Sequence, residues 1–162
     1  MSSEIYIYLK MERYLGQYVT HHWGDPIRLS SNSPEAKLVR RFLDKNPKDT
    51  ELDSLSDEDI TTYYRLEIPW SKEKDPRVYN YLYPGSKKLL IDYFESILVN
   101  NMCTELLELS CDPNIVLSDL ILAYCEKHGM TNIDDQKNFE TIRQKFYRAR
   151  KKYMEENNVK LS

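Results

Sequence analysis

The chain has 162 residues, 41% hydrophobic and 30% charged, with a formal charge of −3. These values fit a soluble globular protein of one compact domain or two small ones, with enough chain to bury a core. No apolar run approaches eighteen residues and the start lacks a basic stretch followed by an apolar one, so neither a membrane span nor a signal peptide is expected.

Residues 5–11 alternate, with Ile5, Ile7, Leu9 and Met11 on one side and Tyr6, Tyr8 and Lys10 on the other. That period of two predicts a half-buried strand. Residues 14–23 read as a second extended segment, broken at Gly24, Asp25 and Pro26, and 27–29 as a short strand. Ser33 followed by Pro34 predicts a helix start, a cap and then proline at the first helical position. Its apolar stripe is Leu38, Val39, Phe42 and Leu43, and it stops before Pro47. Residues 48–59 are acidic and poor in apolar groups, which predicts an exposed loop. Alternation returns at 62–70, with Tyr64, Leu66, Ile68 and Trp70 on one face. Pro69 cannot donate to a ladder, so this strand lies at an edge or ends there. Residues 72–83 look irregular, apart from a short extended piece suggested by Tyr79, Tyr81 and Tyr83.

After Pro84 and Gly85 the period changes to about 3.6. Leu90, Phe94, Ile97, Leu98, Met102, Leu106 and Leu109 mark a long amphipathic helix over about 86–110, followed by a turn at 111–114. Ser118 is the expected N-cap of a shorter helix through Leu120, Ile121, Tyr124 and Cys125, with Gly129 as its C′ residue. Asn132 or Asp134 would cap a final helix reaching about Asn157, and the tail 159–162 should fray.

That final helix carries the one concentrated positive charge. Six of the ten residues at 143–152 are basic and none is acidic; over 134–162 eight basic residues face five acidic ones. On a helical wheel Phe139, Ile142, Phe146, Ala149 and Tyr153 form a narrow apolar stripe. Lys137, Gln144, Arg148 and Lys151 lie opposite, Arg143 and Arg150 flank the stripe on one side, and Lys145 and Lys152 flank it on the other. Lysine and arginine neutralise phosphates and release counterions. Arginine and glutamine also have the donor geometry to read guanine and adenine edges. Arg143, Gln144, Lys145, Arg148, Lys151 and Lys152 are therefore the candidate contacts to double-stranded DNA, with Gln144 and Arg148, one turn apart, the candidate base readers. Helix, turn and helix over 118–153, behind a long scaffold helix, follow the order of a tri-helical helix-turn-helix unit, although the turn from Gly129 is longer than the strict motif allows. The bland reading of the same residues is a solvated helix face, since cations also suit a helix C-terminus and their stems cover apolar surface.

Other chemistry has little support. His21 and His22, if on a strand, point to opposite faces and cannot share an ion, and His128 is remote from both. The cysteines Cys103, Cys111 and Cys125 are odd in number and lack paired spacing. They read as reduced thiols packed as small hydrophobes on helices, in a cytoplasmic protein. No phosphate loop or nucleophile motif appears, so no enzyme, cofactor or metal is expected. Lys87 and Lys88 read as a surface loop pair. The chain has thirteen tyrosines. Tyr6, Tyr8, Tyr63 and the Tyr79, Tyr81, Tyr83 set have the makings of a stacking platform for single-stranded nucleic acid. Such a platform needs nearby cations, and the first half is acidic overall, so sheet packing or a protein contact is the expectation there.

Four stretches, at 5–11, 22–26, 66–70 and 142–148, resemble a family of small uncharacterised bacterial proteins carried on prophage-like or other mobile elements, with a helix-turn-helix-like C-terminal part. The resemblance implies a bacterial cytoplasmic protein with DNA-linked work, and no site residues follow from it.

The sequence thus predicts an α+β protein. A strand-rich unit at 1–83, an antiparallel sheet with one helix, precedes a three-helix unit at 84–162. The expected function is that of a DNA-binding accessory or regulatory protein, with the acidic N-terminal half serving a homodimer or a partner contact. The alternative is a non-enzymatic protein–protein adaptor or phage-type structural component, in which the basic helix packs on an acidic protein.

Overall fold

The computed structural model describes residues 3–47, 62–130 and 136–156. The fold is α+β. It divides into two units, Met1–Phe94 and Glu95–Ser162. The expected loop at 48–59, the cap at Asn132 or Asp134, the helix end at Asn157 and the tail at 159–162 lie outside the described residues.

In the first unit, β1 (Tyr6–Lys10) pairs antiparallel with β3 (Tyr63–Glu67), in the register Tyr6 to Glu67, Tyr8 to Arg65 and Lys10 to Tyr63. The alternation does what it predicts: Ile7, Leu9 and Leu66 are buried on the inner face. Ile27 bridges to Leu66 as a single parallel pair rather than as a strand. β3 ends two residues before Pro69, and Trp70, past the end, is 43% exposed instead of sharing the inner face. A second two-stranded sheet joins β2 (Asp44–Lys45) to β4 (Tyr79–Tyr81).

The segment read as extended at 14–23 is a helix, α1 (Arg13–Trp23). Its buried residues Tyr14, Leu15, Tyr18 and Val19 recur at i, i+1, i+4 and i+5, the spacing of one helical face. Tertiary burial of that face overrides the strand preference of its aromatic and β-branched residues. Gly16 lets α1 lie flush on Tyr64, because a Cβ there would sit 2.0 Å from the ring. Burial pushes the Tyr64 phenol above its usual pKa, with Arg13 pulling the other way. α1 ends at Gly24, where φ is +91° and the N–H donates to the Thr20 carbonyl.

α2 (Pro34–Phe42) starts as expected, the Ala36 N–H donating to Ser33 Oγ at 3.1 Å. Its far end is closed by Lys74, whose ammonium donates to the carbonyls of Arg40 at 2.8 Å and Leu43 at 2.9 Å. The first turns of α3 (Pro84–Ser110) belong to this unit, with Leu90 and Phe94 buried and the Trp23 and Phe94 rings 5.4 Å apart. Residues 84–94 thus fall within the first unit.

In the second unit, the rest of α3 buries Leu98, Met102 and Leu106, while Leu109, expected on the same stripe, is 49% exposed. α4 (Leu117–Lys127) begins two residues earlier than expected: Val116 is the cap position and Ser118 lies inside the first turn. Its end is a Schellman motif. Gly129 has φ +78°, its N–H donates to the Glu126 carbonyl, and the N–H of buried Met130 donates to the Cys125 carbonyl. α5 (Gln136–Glu156) buries Ile142, Phe146 and Met154. Tyr153, assigned to that stripe from the wheel, is 46% exposed and its neighbour Met154 takes the core position.

Candidate nucleic-acid interface

Helices α4 and α5 are both tied to α3 by polar contacts as well as by the core. From α4, Tyr124 donates its hydroxyl to Asn101 Oδ1 at 2.7 Å, and buried His128 meets Glu105 through Nε2 at 2.9 Å. Lys127 reaches the other oxygen of the same carboxylate at 3.3 Å. From α5, Lys145 is ion-paired with Glu95. Arg150 donates from Nε to Ser110 Oγ at 3.0 Å and from Nη2 to the Ser110 carbonyl at 3.4 Å. That carbonyl closes α3, so Arg150 serves partly as a cap.

These ties sort the expected contact residues. Lys145 is half-buried and its charge is answered by Glu95, so it does not belong with the outward cations. Arg143 stacks over the Tyr147 ring at 5.2 Å and lies 3.7 Å from Glu140, its Nε buried without a hydrogen-bond partner. It too is turned largely toward its own helix. Gln144, Arg148, Lys151 and Lys152 are exposed. Lys152 has one long contact, 4.0 Å to Glu156, and Arg148 and Lys151 have no ion-pair partner among the described residues. Gln144, Arg148 and Lys151 are spaced four and three residues apart, one row along the helix about 10 Å long. Lys152 stands beside that row, and Glu155 and Glu156 end the positive stretch.

The row suits a polyanion: two or three cations facing solvent, with an amide one turn away able to donate and accept. Of α4, the other half of the expected helix-turn-helix, the bounds are clear, but five of the eight residues between it and α5 lie outside the described residues. The ties of Lys145 and Arg150 were not readable from the sequence, because Glu95 and Ser110 are fifty and forty residues away from them. A general signal existed for one: a cation near a helix C-terminus favours its last carbonyls, although nothing in the sequence says which.

His21 and His22 stand on a helix, not a strand, with ring centroids 5.2 Å apart. Among the described residues no three His, Cys, Asp or Glu side chains converge to hold a metal ion, and no helix is long and apolar enough to cross a membrane. Comparison with protein-family models, curated proteins and solved structures returned no match to this chain.

Proposed function

We propose that this chain is a DNA-binding accessory or regulatory protein without enzymatic activity, acting in the bacterial cytoplasm on mobile-element DNA. α5 lies on the duplex through Gln144, Arg148, Lys151 and Lys152. The reading is carried by one observation: on a helix where Arg143, Lys145 and Arg150 are engaged within the fold, this row is exposed. Arg148, Lys151 and Lys152 supply phosphate neutralisation, which is insensitive to sequence. Gln144 and Arg148 supply whatever base preference exists. A single helix of this charge holds DNA weakly, so a homodimer provides the second half-site.

The test is fluorescence anisotropy on labelled duplex DNA over a range of salt, with the folded wild type and an Arg148→Ala/Lys151→Ala variant. The wild type should bind with log-linear salt dependence, and the double variant should lower the slope by about 1.8 per protomer, two phosphate contacts at about 0.9 each, and so by about 3.6 for the bound dimer. Absence of binding at low salt, or a variant slope equal to that of wild type, overturns the reading. Competition by polyglutamate as effective as that by duplex DNA transfers the helix to the adaptor role, with an acidic protein as its partner.

A further inference from the structure

We propose that the outer face of the β1–β3 sheet, together with the first turn of α3, is a stacking site for single-stranded nucleic acid. This proposal uses only residues of the first unit and is independent of the reading of α5.

The register builds the face. With Ile7 and Leu9 turned inward, Tyr6, Tyr8 and Lys10 lie on the outer side of β1, and Tyr63, Arg65 and Glu67 lie beside them on β3, the buried Glu67 carboxylate being answered by Arg28 at 2.7 Å. The three tyrosines are half-buried, so their rings lie partly against the sheet with area left to solvent. The two cations sit over rings: Lys10 Nζ is 5.9 Å from the Tyr63 centroid, and the Arg65 guanidinium is 5.4 Å from that of Tyr6. Next to Tyr8, Tyr63 and Lys10 opens a cleft of about 350 Å³, completed by Pro84, Lys87 and Lys88 at the start of α3. No carboxylate lines it. The volume falls at the lower end of small-molecule sites, roughly 300–1,000 Å³.

Tyrosine rings beside lysines are the two components that single-strand binders combine, one for the base and one for the backbone. A duplex keeps its bases stacked on each other and leaves the rings unused. An acidic peptide satisfies the lysines but likewise leaves the rings unused. In sequence, much of the acidity of the first half falls in the stretch 48–61, just before β3. Residues 1–94 hold fifteen acidic and fourteen basic residues, but six of the acidic ones and one basic one fall within 48–61. The remainder of the unit carries nine acidic and thirteen basic residues, a surplus of four positive charges. Tyr79 and Tyr81 belong to the other sheet, with Tyr81 edge-on to Tyr83 at 5.0 Å, and take no part.

The experiment is anisotropy with a labelled oligothymidylate on the full chain, comparing wild type with Tyr63→Leu, Tyr63→Phe, Lys88→Ala and the Arg148→Ala/Lys151→Ala variant, all checked for fold by circular dichroism. Stacking on one ring is expected to be lost in Tyr63→Leu, about five- to hundredfold in affinity, and kept in Tyr63→Phe. Lys88→Ala, on an exposed helical position, should weaken binding and flatten the salt dependence, while the α5 variant binds as wild type does. The proposal is overturned by no binding at low salt, by loss of binding in the α5 variant alone, or by equal affinity of Tyr63→Leu and wild type. Displacement by polyglutamate as efficient as by unlabelled oligothymidylate also overturns it, since charge alone then suffices.

Discussion

Replacing Gly16 by alanine sets two effects of known size against each other. Inside a helix the change gains about 0.8–1.0 kcal/mol of propensity. At this position the new Cβ falls 2.0 Å from Cζ of Tyr64 and 2.1 and 2.6 Å from its ring neighbours. Ordinary contact begins at about 3.4 Å, so the ring, α1 or both must retreat by about 1.4 Å. Overpacking of that kind costs about 1–3 kcal/mol. The net expectation is destabilisation by about 0–2 kcal/mol, and the informative comparison is with Gly85→Ala. Gly85 is also helical, but a Cβ there meets nothing within 4 Å. Gly85→Ala should therefore be neutral or stabilising by at most about 1 kcal/mol. The two variants should differ by about 1–3 kcal/mol. At about 2–4 °C per kcal/mol for a chain of this length, that separates their melting temperatures by about 6 °C in mid-range. Thermal unfolding followed by far-ultraviolet circular dichroism measures it. In a Tyr64→Leu background the penalty at Gly16 should largely vanish. If Gly16→Ala melts as late as Gly85→Ala in the wild-type background, the close approach of α1 to Tyr64 is wrong.

Three further outcomes are expected. Phe146→Ala, at a fully buried position of α5, should lower the free energy of unfolding by about 3–5 kcal/mol in urea titrations. Brief alkylation of the native chain near pH 8, read by peptide mass spectrometry, should mark exposed Cys111 first and half-buried Cys103 more slowly; Cys125 should react only after denaturation, since burial, helped by Glu126, pushes its thiol up to about 12. The same shift makes stability depend on alkaline pH: the unfolded thiol loses its proton near the usual value of 9, the folded one only near 12. The contribution is thus complete below pH 9 and is lost as pH climbs from about 9 towards 12, and Cys125→Ala should show a shallower decline over that window in chemical denaturation.

Legibility in the sequence followed the range of the interactions involved. β1, β3, the capped start of α2, long α3 and the glycine stop of α4 are written in local period and turn chemistry, and all were readable. α1 was misread because Tyr14, Tyr18, Val19 and Trp23 favour strands individually, although the i, i+1, i+4, i+5 spacing of its buried face was present. Tyr153 and Met154 exchanged places because a wheel cannot decide between adjacent candidates at the edge of a stripe; only the packing on α3 does. On α5 the abundance of charge was plain, but its division was not. Whether a lysine faces solvent or a glutamate fifty residues earlier in the chain is a tertiary fact, and Lys145 shows it. The cationic side of the β1–β3 sheet was hidden for the opposite reason: averaging charge over half the chain merged it with the acidic run at 48–61.

The ties from Lys145 to Glu95 and from Arg150 to Ser110 settle the azimuth of α5. A cationic helix on its own can roll about its axis and offer any side to a partner, and it gives up that freedom when it binds. Here the roll is stopped at folding, so any partner of the row of Gln144, Arg148 and Lys151 would meet it already facing one way, with less ordering left to oppose association. Replacing Glu95 or Ser110 would then register in a binding measurement as an effect without a contact: the altered side chain touches no ligand, and what changes is the direction in which a helix looks.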